Sequence, residues 1–371
     1  MKKLIITGSL ILLVVLIYGQ VYIDPTNSGD PGQNGSIDHP FDRWTDFSIQ
    51  SNTTYLQKRG TVFIPTNYGN VISIVNKTNV TIGSYGTGAK PVIYDINGNT
   101  TRMIGIEPTS RNITIDGIDL FGSGDGVGIR IDGSSNPNTQ PNKYIHILNC
   151  DIHNFGTGTW SIPYETPYSN QEEDYQLVNC NIYDIQTDGV FWVEIKDILI
   201  QGCYIHDVAQ LVGEGGDGIH IVEGCPNYLI KDNIIDRRGS VDKFCFIHGA
   251  SVTWDGTTGR ITGNTFYSPD DDPNWGGAAV YLAADDAVVV DHNKFIEGGQ
   301  NAIYTQWEMN ITVAYNLFYN IPGGGLLYVD GDLKIHNNTI VSNTTGNFSL
   351  FNIGGDGTCQ LWNNIIAANN P

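Results

Sequence analysis

Apolar residues recur along this chain in one fixed frame. An apolar position is followed three residues later by a small or amide side chain, and two residues after that by another apolar position. Ile147-x-x-Cys150-x-Ile152, Ile200-x-x-Cys203-x-Ile205, Ile261-x-x-Asn264-x-Phe266 and Ile335-x-x-Asn338-x-Ile340 all fit it. The central position runs Cys150, Cys180, Cys203, Asn233, Asn264, Asn293, Asn316, Asn338, Asn364, and the frame reaches back to Ile115-x-x-Ile118-x-Leu120. Successive central positions lie 22 to 32 residues apart. One inward position repeated at that period marks a solenoid, with the short gaps giving the bare coil and the long ones carrying loops.

Around each central position apolar and polar residues alternate, and β-branched and aromatic types are common, which predicts a strand. A second strand is predicted in most coils, for example Gly128 to Ile131, Val190 to Val193, Gly218 to Ile221, Ala279 to Leu282, Ala302 to Thr305 and Leu326 to Val329. Gly, Asn and Asp punctuate the joins. No helical periodicity interrupts the run.

The ladder position has a physical reason. An Asn at a tight turn can bond the turn backbone and the Asn of the next coil, and a buried amide is tolerated when so satisfied. Cys in the same slot reads as a small apolar filler. Cys150, Cys180 and Cys203 would point the same way at strand spacing, about 4.8 Å, which suits a disulfide poorly. Cys225, Cys245 and Cys359 are left open.

These features resemble the pectate lyase-like superfamily. The resemblance rests on the ladder and on the recurrent Asp-Gly-(Ile/Val) and Asn-x-(Ile/Phe) turns, from about residue 60 onward. It implies an all-β, single-stranded right-handed parallel β-helix of about ten or more coils. The expected organisation is a signal peptide over 1–20, an N-terminal opening strand and cap over 21–60, and the β-helix over 61–371. Lys2 and Lys3 before the apolar run Leu4 to Tyr18 give the signal, so the protein is expected to be secreted or at the cell surface, with no membrane span after cleavage. No polar capping helix follows the last coil, which leads us to expect further chain or a partner there.

Charge narrows the partners. With 19 basic and 39 acidic residues the chain carries −20, so nucleic acid is disfavoured. A polyanionic glycan needs local cationic groups or Ca²⁺ to approach. No nucleotide loop, zinc spacing or Ser-His-Asp signature occurs.

Overlaying the coils places Arg130, Phe191, His220, Tyr281, Tyr304 and Tyr328 in one outward column, with an uncertain coil near Cys245 to His248. Aromatic tracks of this kind suit sugar faces. The path from ladder position to column residue is 11 residues for Phe191 and Tyr304 but 17 for His220 and Tyr281. The longer paths predict loops that wall a groove over residues 188–281, and a polysaccharide is the expected partner.

Two reactions fit this groove. In β-elimination on an acidic polysaccharide, the leading expectation, Lys243 or His220 is the base. Arg237, Arg238 or Ca²⁺ neutralises the uronate, and Tyr281 protonates the leaving oxygen. The Ca²⁺ would be held by Asp270, Asp271 and Asp272. In hydrolysis, paired carboxylates flank the bond.

A second, local similarity supports hydrolysis. Thr187-Asp188-Gly189, Asp217-Gly218 and Ile247-His248-Gly249 are similar in order to motifs of polygalacturonase-like hydrolases, which implies catalytic roles for Asp188, Asp217 and His248. Gln186 stands where that family has Asn, the Asp doublet is single, and Val280-Tyr281-Leu282 replaces its basic coil. A non-catalytic, adhesive glycan-binding solenoid uses the same column without chemistry. The oligomeric state is open.

Overall fold

The computed structural model describes residues 19–368, apart from 67–68, 97, 99–100, 134–139, 163–171, 212–215, 223, 241–246, 251–257, 268–277, 284–286, 298–300, 307–308, 321–326, 343–350 and 355–357. Among these residues there is no helix. Each coil contributes up to three short strands, and each strand pairs in parallel with its equivalent in the next coil. We name the three faces A, B and C in chain order. Face A includes Glu172–Val178, Ile195–Gln201 and Tyr228–Lys231. Face B includes Asn181–Ile185, Tyr204–His206 and Ile234–Asp236. Face C includes Thr157–Ile162, Val190–Val193 and Ile219–Val222.

Face B is a 12-stranded sheet, one strand per coil, in keeping with the ten or more coils expected. Faces A and C merge into one 23-stranded sheet because the strand Leu327–His336 belongs to both. The opening segment is part of the stack. Gly19–Ile23 pairs in parallel with Thr53–Lys58, which pairs with Thr78–Tyr85, so face A begins before residue 61.

Alternation decides what fills the interior. On face B inward residues stack on their equivalents: Ile152, Ile182, Ile205, Ile235, Phe266, Phe295, Phe318 and Ile340 are all buried. The three phenylalanines stack at 4.9 and 4.8 Å between ring centres. One buried side chain of this size contributes about 1.5–3 kcal/mol.

The A-to-B corner holds the ladder. The residue just before each ladder position has positive φ: Asn149, Asn179, Gly202, Asp232, Gly263, His292, Tyr315, Asn337 and Asn363. Asn, Asp and Gly tolerate that geometry best, which is why they punctuate the sequence there. Asn264 shows the ladder bonding. Its Nδ2 donates to Asn293 Oδ1 at 3.0 Å and to Ile230 O at 2.9 Å, and its Oδ1 accepts the Asn233 N–H at 3.0 Å. The cysteines do more than fill space. The Cys150 N–H donates to Cys180 Sγ at 3.4 Å, and Cys180 Sγ donates to Ile147 O at 3.6 Å. The thiol thus copies the amide's two roles with weaker bonds. Cys150, Cys180, Cys203, Cys225 and Cys359 are free thiols, and Cys245 lies outside the described residues.

Candidate active site

Strand register on face C settles the outward column. Arg130 pairs with Trp160, Trp160 with Phe191, Phe191 with His220, His220 with His248, His248 with Tyr281, Tyr281 with Tyr304, and Tyr304 with Tyr328. The uncertain coil is therefore filled by His248. Trp160 joins the column unannounced. The side chains of His248 and Tyr328 lie outside the described residues, as do Lys243 and Asp270, Asp271 and Asp272. The same register runs back through Gly105 to Ser73, which lines a cavity of about 570 Å³ together with Trp44, Phe47 and Val75.

Rings in the column touch one another. Trp160 meets Phe191 edge-on at 6.0 Å, and Phe191 meets His220 edge-on at 4.9 Å. Tyr281 and Tyr304 stack at 5.1 Å. The Arg130 guanidinium sits 4.9 Å above the Trp160 ring and is tied to Asp132 at 2.7 Å. Arg102 is paired with the same Asp132 and with Glu107.

At the centre of the column, Asp188, Asp217 and His220 converge from two successive coils. Close coil approach explains the local sequence. A Cβ on Gly189 would lie 2.7 Å from the Gly218 carbonyl, so glycine is required at this step, and the residue before it turns its carboxylate toward the column. The Asp217 N–H donates to Asp188 Oδ1 at 2.7 Å, and the Gly189 N–H donates to Asp217 O at 2.9 Å. The first bond fixes the Asp188 carboxylate, and the second locks the Asp217 backbone to the preceding coil. His220 Nδ1 then lies 3.7 Å from Asp188 Oδ1 and 3.5 Å from Asp217 Oδ2.

The two carboxylates differ in access. Asp217 is 3% exposed, whereas the side chains of Asp188 and His220 are each 19% exposed. Burial by itself favours a neutral imidazole, but the contact with the Asp188 carboxylate and the charges of Asp217 and Asp188 outweigh it, so the His220 pKa is raised. The arrangement is an imidazole that readily holds a proton, backed by a buried carboxylate and flanked by an accessible one. One donor atom from each of the three groups lies within 4.8 Å of the others, so they could also share a cation.

Arg238 gives Nε and Nη2 to Asp236 at 2.9 and 2.6 Å, and lies 4.4 Å above the Tyr267 ring. The same carboxylate raises its pKa further. Arg237 is 4% exposed. Both follow the face B strand Ile234–Asp236, at the corner leading to face C.

The family described as "Right handed beta helix region" matches residues 168–366. No curated protein sequence matches the chain. Among solved structures, a GH136 lacto-N-biosidase from Eubacterium ramulus superposes with a TM-score of 0.67 at 14% identity, over 94% of this chain and 68% of that one. The A-module of a mannuronan C-5 epimerase from Azotobacter vinelandii gives 0.59 at 13% identity, over 93% of this chain and 96% of that one. A rhamnogalacturonan lyase gives 0.57 at 11% identity, over 93% and 87%. At these identities the likeness is one of fold.

Proposed function

The chain belongs to the right-handed β-helix family, and from the site on face C we propose that it is a glycan-cleaving enzyme that hydrolyses a neutral polysaccharide. One observation carries this reading: the convergence of Asp188, Asp217 and His220 in the middle of the aromatic column. The fold does not choose the reaction, since its named neighbours include a glycosidase, a lyase and an epimerase. The chemistry of the site has to.

His220 and Asp188 are the two members of the cluster with access to a substrate, so they form the acid–base pair. With Nδ1 turned to the carboxylates, the proton delivered to the leaving oxygen is the one on Nε2. Asp188 attacks or activates the attacking group, and buried Asp217 acts as a positioning residue that keeps the imidazole charged and oriented. Double displacement needs its two groups about 5–5.5 Å apart and inversion about 6.5–9.5 Å, and the anomeric configuration of the product decides between them.

Electrostatics favour a neutral substrate over a uronate. Two carboxylates frame the reacting position, in a chain of charge −20. Arg238 is engaged by Asp236 and Arg237 is buried, which weakens the case for elimination, where a cation must offset the substrate's own carboxylate.

The test is incubation of the protein with neutral and acidic polysaccharides in the presence of a chelator. New reducing ends and the ultraviolet absorbance of an unsaturated uronate are followed together. Hydrolysis of a neutral glycan without absorbance is expected, with Asp188→Asn and His220→Ala each losing at least about 100-fold in kcat. Rising absorbance from an acidic polymer would establish a lyase instead. Full activity in both variants would place the chemistry elsewhere, and binding without products would make the protein a glycan-binding solenoid.

A further inference from the structure

The spacing within the Asp188, Asp217 and His220 cluster is unusual among the histidine–aspartate contacts of the described residues. His39 with Asp30, His153 with Asp119, His206 with Asp207 and His292 with Asp291 all close to between 2.6 and 3.0 Å, as hydrogen-bonded pairs do. His146 stands 3.5 Å from Asp174, a single carboxylate. His220 Nδ1 instead faces two carboxylate oxygens, at 3.5 and 3.7 Å, beyond the range of a good N–H···O bond. Those distances come closer to another geometry, a little wider than it requires, and all three donor atoms lie within 4.8 Å of one another. When metal–ligand bonds of about 2.0–2.1 Å meet at tetrahedral angles, neighbouring donors stand about 3.3–3.4 Å apart.

We propose that Asp188 Oδ1, Asp217 Oδ2 and His220 Nδ1 bind one divalent transition-metal ion, of which Zn²⁺ is the representative probe. Three protein ligands leave a fourth position open on the column side. The donor set selects the class of ion. One imidazole nitrogen with two carboxylate oxygens suits a first-row transition ion, whereas Ca²⁺ wants six to eight oxygens. Two carboxylates and a neutral imidazole balance a divalent charge. The Asp217 N–H bond to Asp188 Oδ1 at 2.7 Å is the outer contact that holds the first ligand in place, and near-complete burial holds the second.

The ion takes the place of the proton on Nδ1, since a metal-ligating imidazole must give that proton up. Resting on the hydrolase reading above, the bound ion also occupies the acid–base pair. Cleavage and metal binding are then mutually exclusive, and free metal regulates the site.

The test begins with chelator-stripped protein titrated with ZnCl₂ by calorimetry, with CaCl₂ titrated in parallel. One Zn²⁺ per chain is expected. His220→Ala and the near-isosteric Asp188→Asn should each weaken binding at least tenfold, with thermal unfolding confirming that each variant is folded. His206→Ala, which removes an ordinary histidine–aspartate pair, should leave the isotherm unchanged. Equal Zn²⁺ affinity in wild type and both ligand variants would overturn the proposal, as would Ca²⁺ binding as tightly as Zn²⁺ at the same groups. In a separate arm, Zn²⁺ should abolish glycan cleavage and a chelator restore it, and stimulation by Zn²⁺ would overturn the exclusivity. If no glycan is cleaved under any condition, the hydrolase reading fails while the isotherms still decide the metal site.

Discussion

Glu172 is the residue with the strongest hidden consequence. It opens a face A strand, is 2% exposed, and sits among Asn142, Ser161 and Tyr175. Asn142 Nδ2 donates to Oε1 at 3.1 Å, while Ser161 Oγ donates to Oε2 at 3.1 Å and the Tyr175 hydroxyl to the same oxygen. Burial pushes its pKa up to about 7, the Asp132 charge adds to the rise, and the three hydrogen bonds offset only part of it. In the unfolded chain the group titrates near 4.5. Between those values the native state holds a proton that the unfolded state has lost, so stability falls as pH rises through the window. The full effect above pH 7 is about 3 kcal/mol. Asp24, Asp236 and Asp291 have lowered pKa values and act only at more acid pH, with the opposite slope. His220, raised above 6.5, adds a slope of the same sign at the upper end. The diagnostic is therefore a difference between two proteins. Urea midpoints at pH 5 and pH 8 should drop more for wild type than for Glu172→Gln, by an amount equivalent to about 2.5 kcal/mol, since part of the effect is already lost at pH 5. Equal drops would mean that Glu172 ionises freely in the fold.

At the scale of the element, the ladder is a set of amides that satisfy one another. Asn293 Nδ2 donates to Asn316 Oδ1 at 3.1 Å and to Ile261 O at 2.9 Å, and its Oδ1 accepts the Asn264 N–H at 2.9 Å. Asn293→Ala strips partners from groups with no access to water, and should cost roughly 2–4 kcal/mol. Cys203 makes long sulfur contacts to Leu177 O and Gln201 O, both at 3.5 Å. Cys203→Ala should cost about half as much, mostly in packing. Urea unfolding of the two variants side by side checks this, and matching shifts would show that the amide bonding is worth no more than the volume it fills. The ladder was legible in sequence because one inward slot repeats with a restricted side-chain choice. The column was legible for the same reason, wherever its neighbours were apolar. Trp160 was missed because the inward residues on either side are Thr159 and Ser161, whose polarity hides the strand, although Trp160 follows Cys150 by 10 residues, close to the 11 between Cys180 and Phe191. Asp188 and Asp217 were visible as candidates for hydrolysis, and His220 as a candidate base for elimination. Their convergence was not, because it depends on the register between coils and on backbone bonds that no local pattern encodes.

For the molecule as a whole, the distribution of charge decides which polymers can approach. The chain carries 39 acidic residues against 19 basic ones. Along face C the two arginines nearest the N-terminal end of the column are balanced by Asp132 and Glu107, so the track offers little net positive charge to counter the field. That field reaches about 30 Å at 0.01 M ionic strength but only about 8 Å at 0.15 M. A neutral glycan should be indifferent to this change, binding through ring contacts with Phe191, Tyr281 and Tyr304 that salt does not screen. An acidic polysaccharide should be held off at low salt and bind better as salt rises, the reverse of an ordinary electrostatic partner. Measuring KM or Kd for one neutral and one acidic polymer between these two salt concentrations checks the argument. Tighter binding of the acidic polymer at low salt would show that groups such as Arg102 and Arg130 dominate the groove locally. It would also return the uronate-cleaving reaction to the front, because the cation that elimination needs would then be present along the substrate's path.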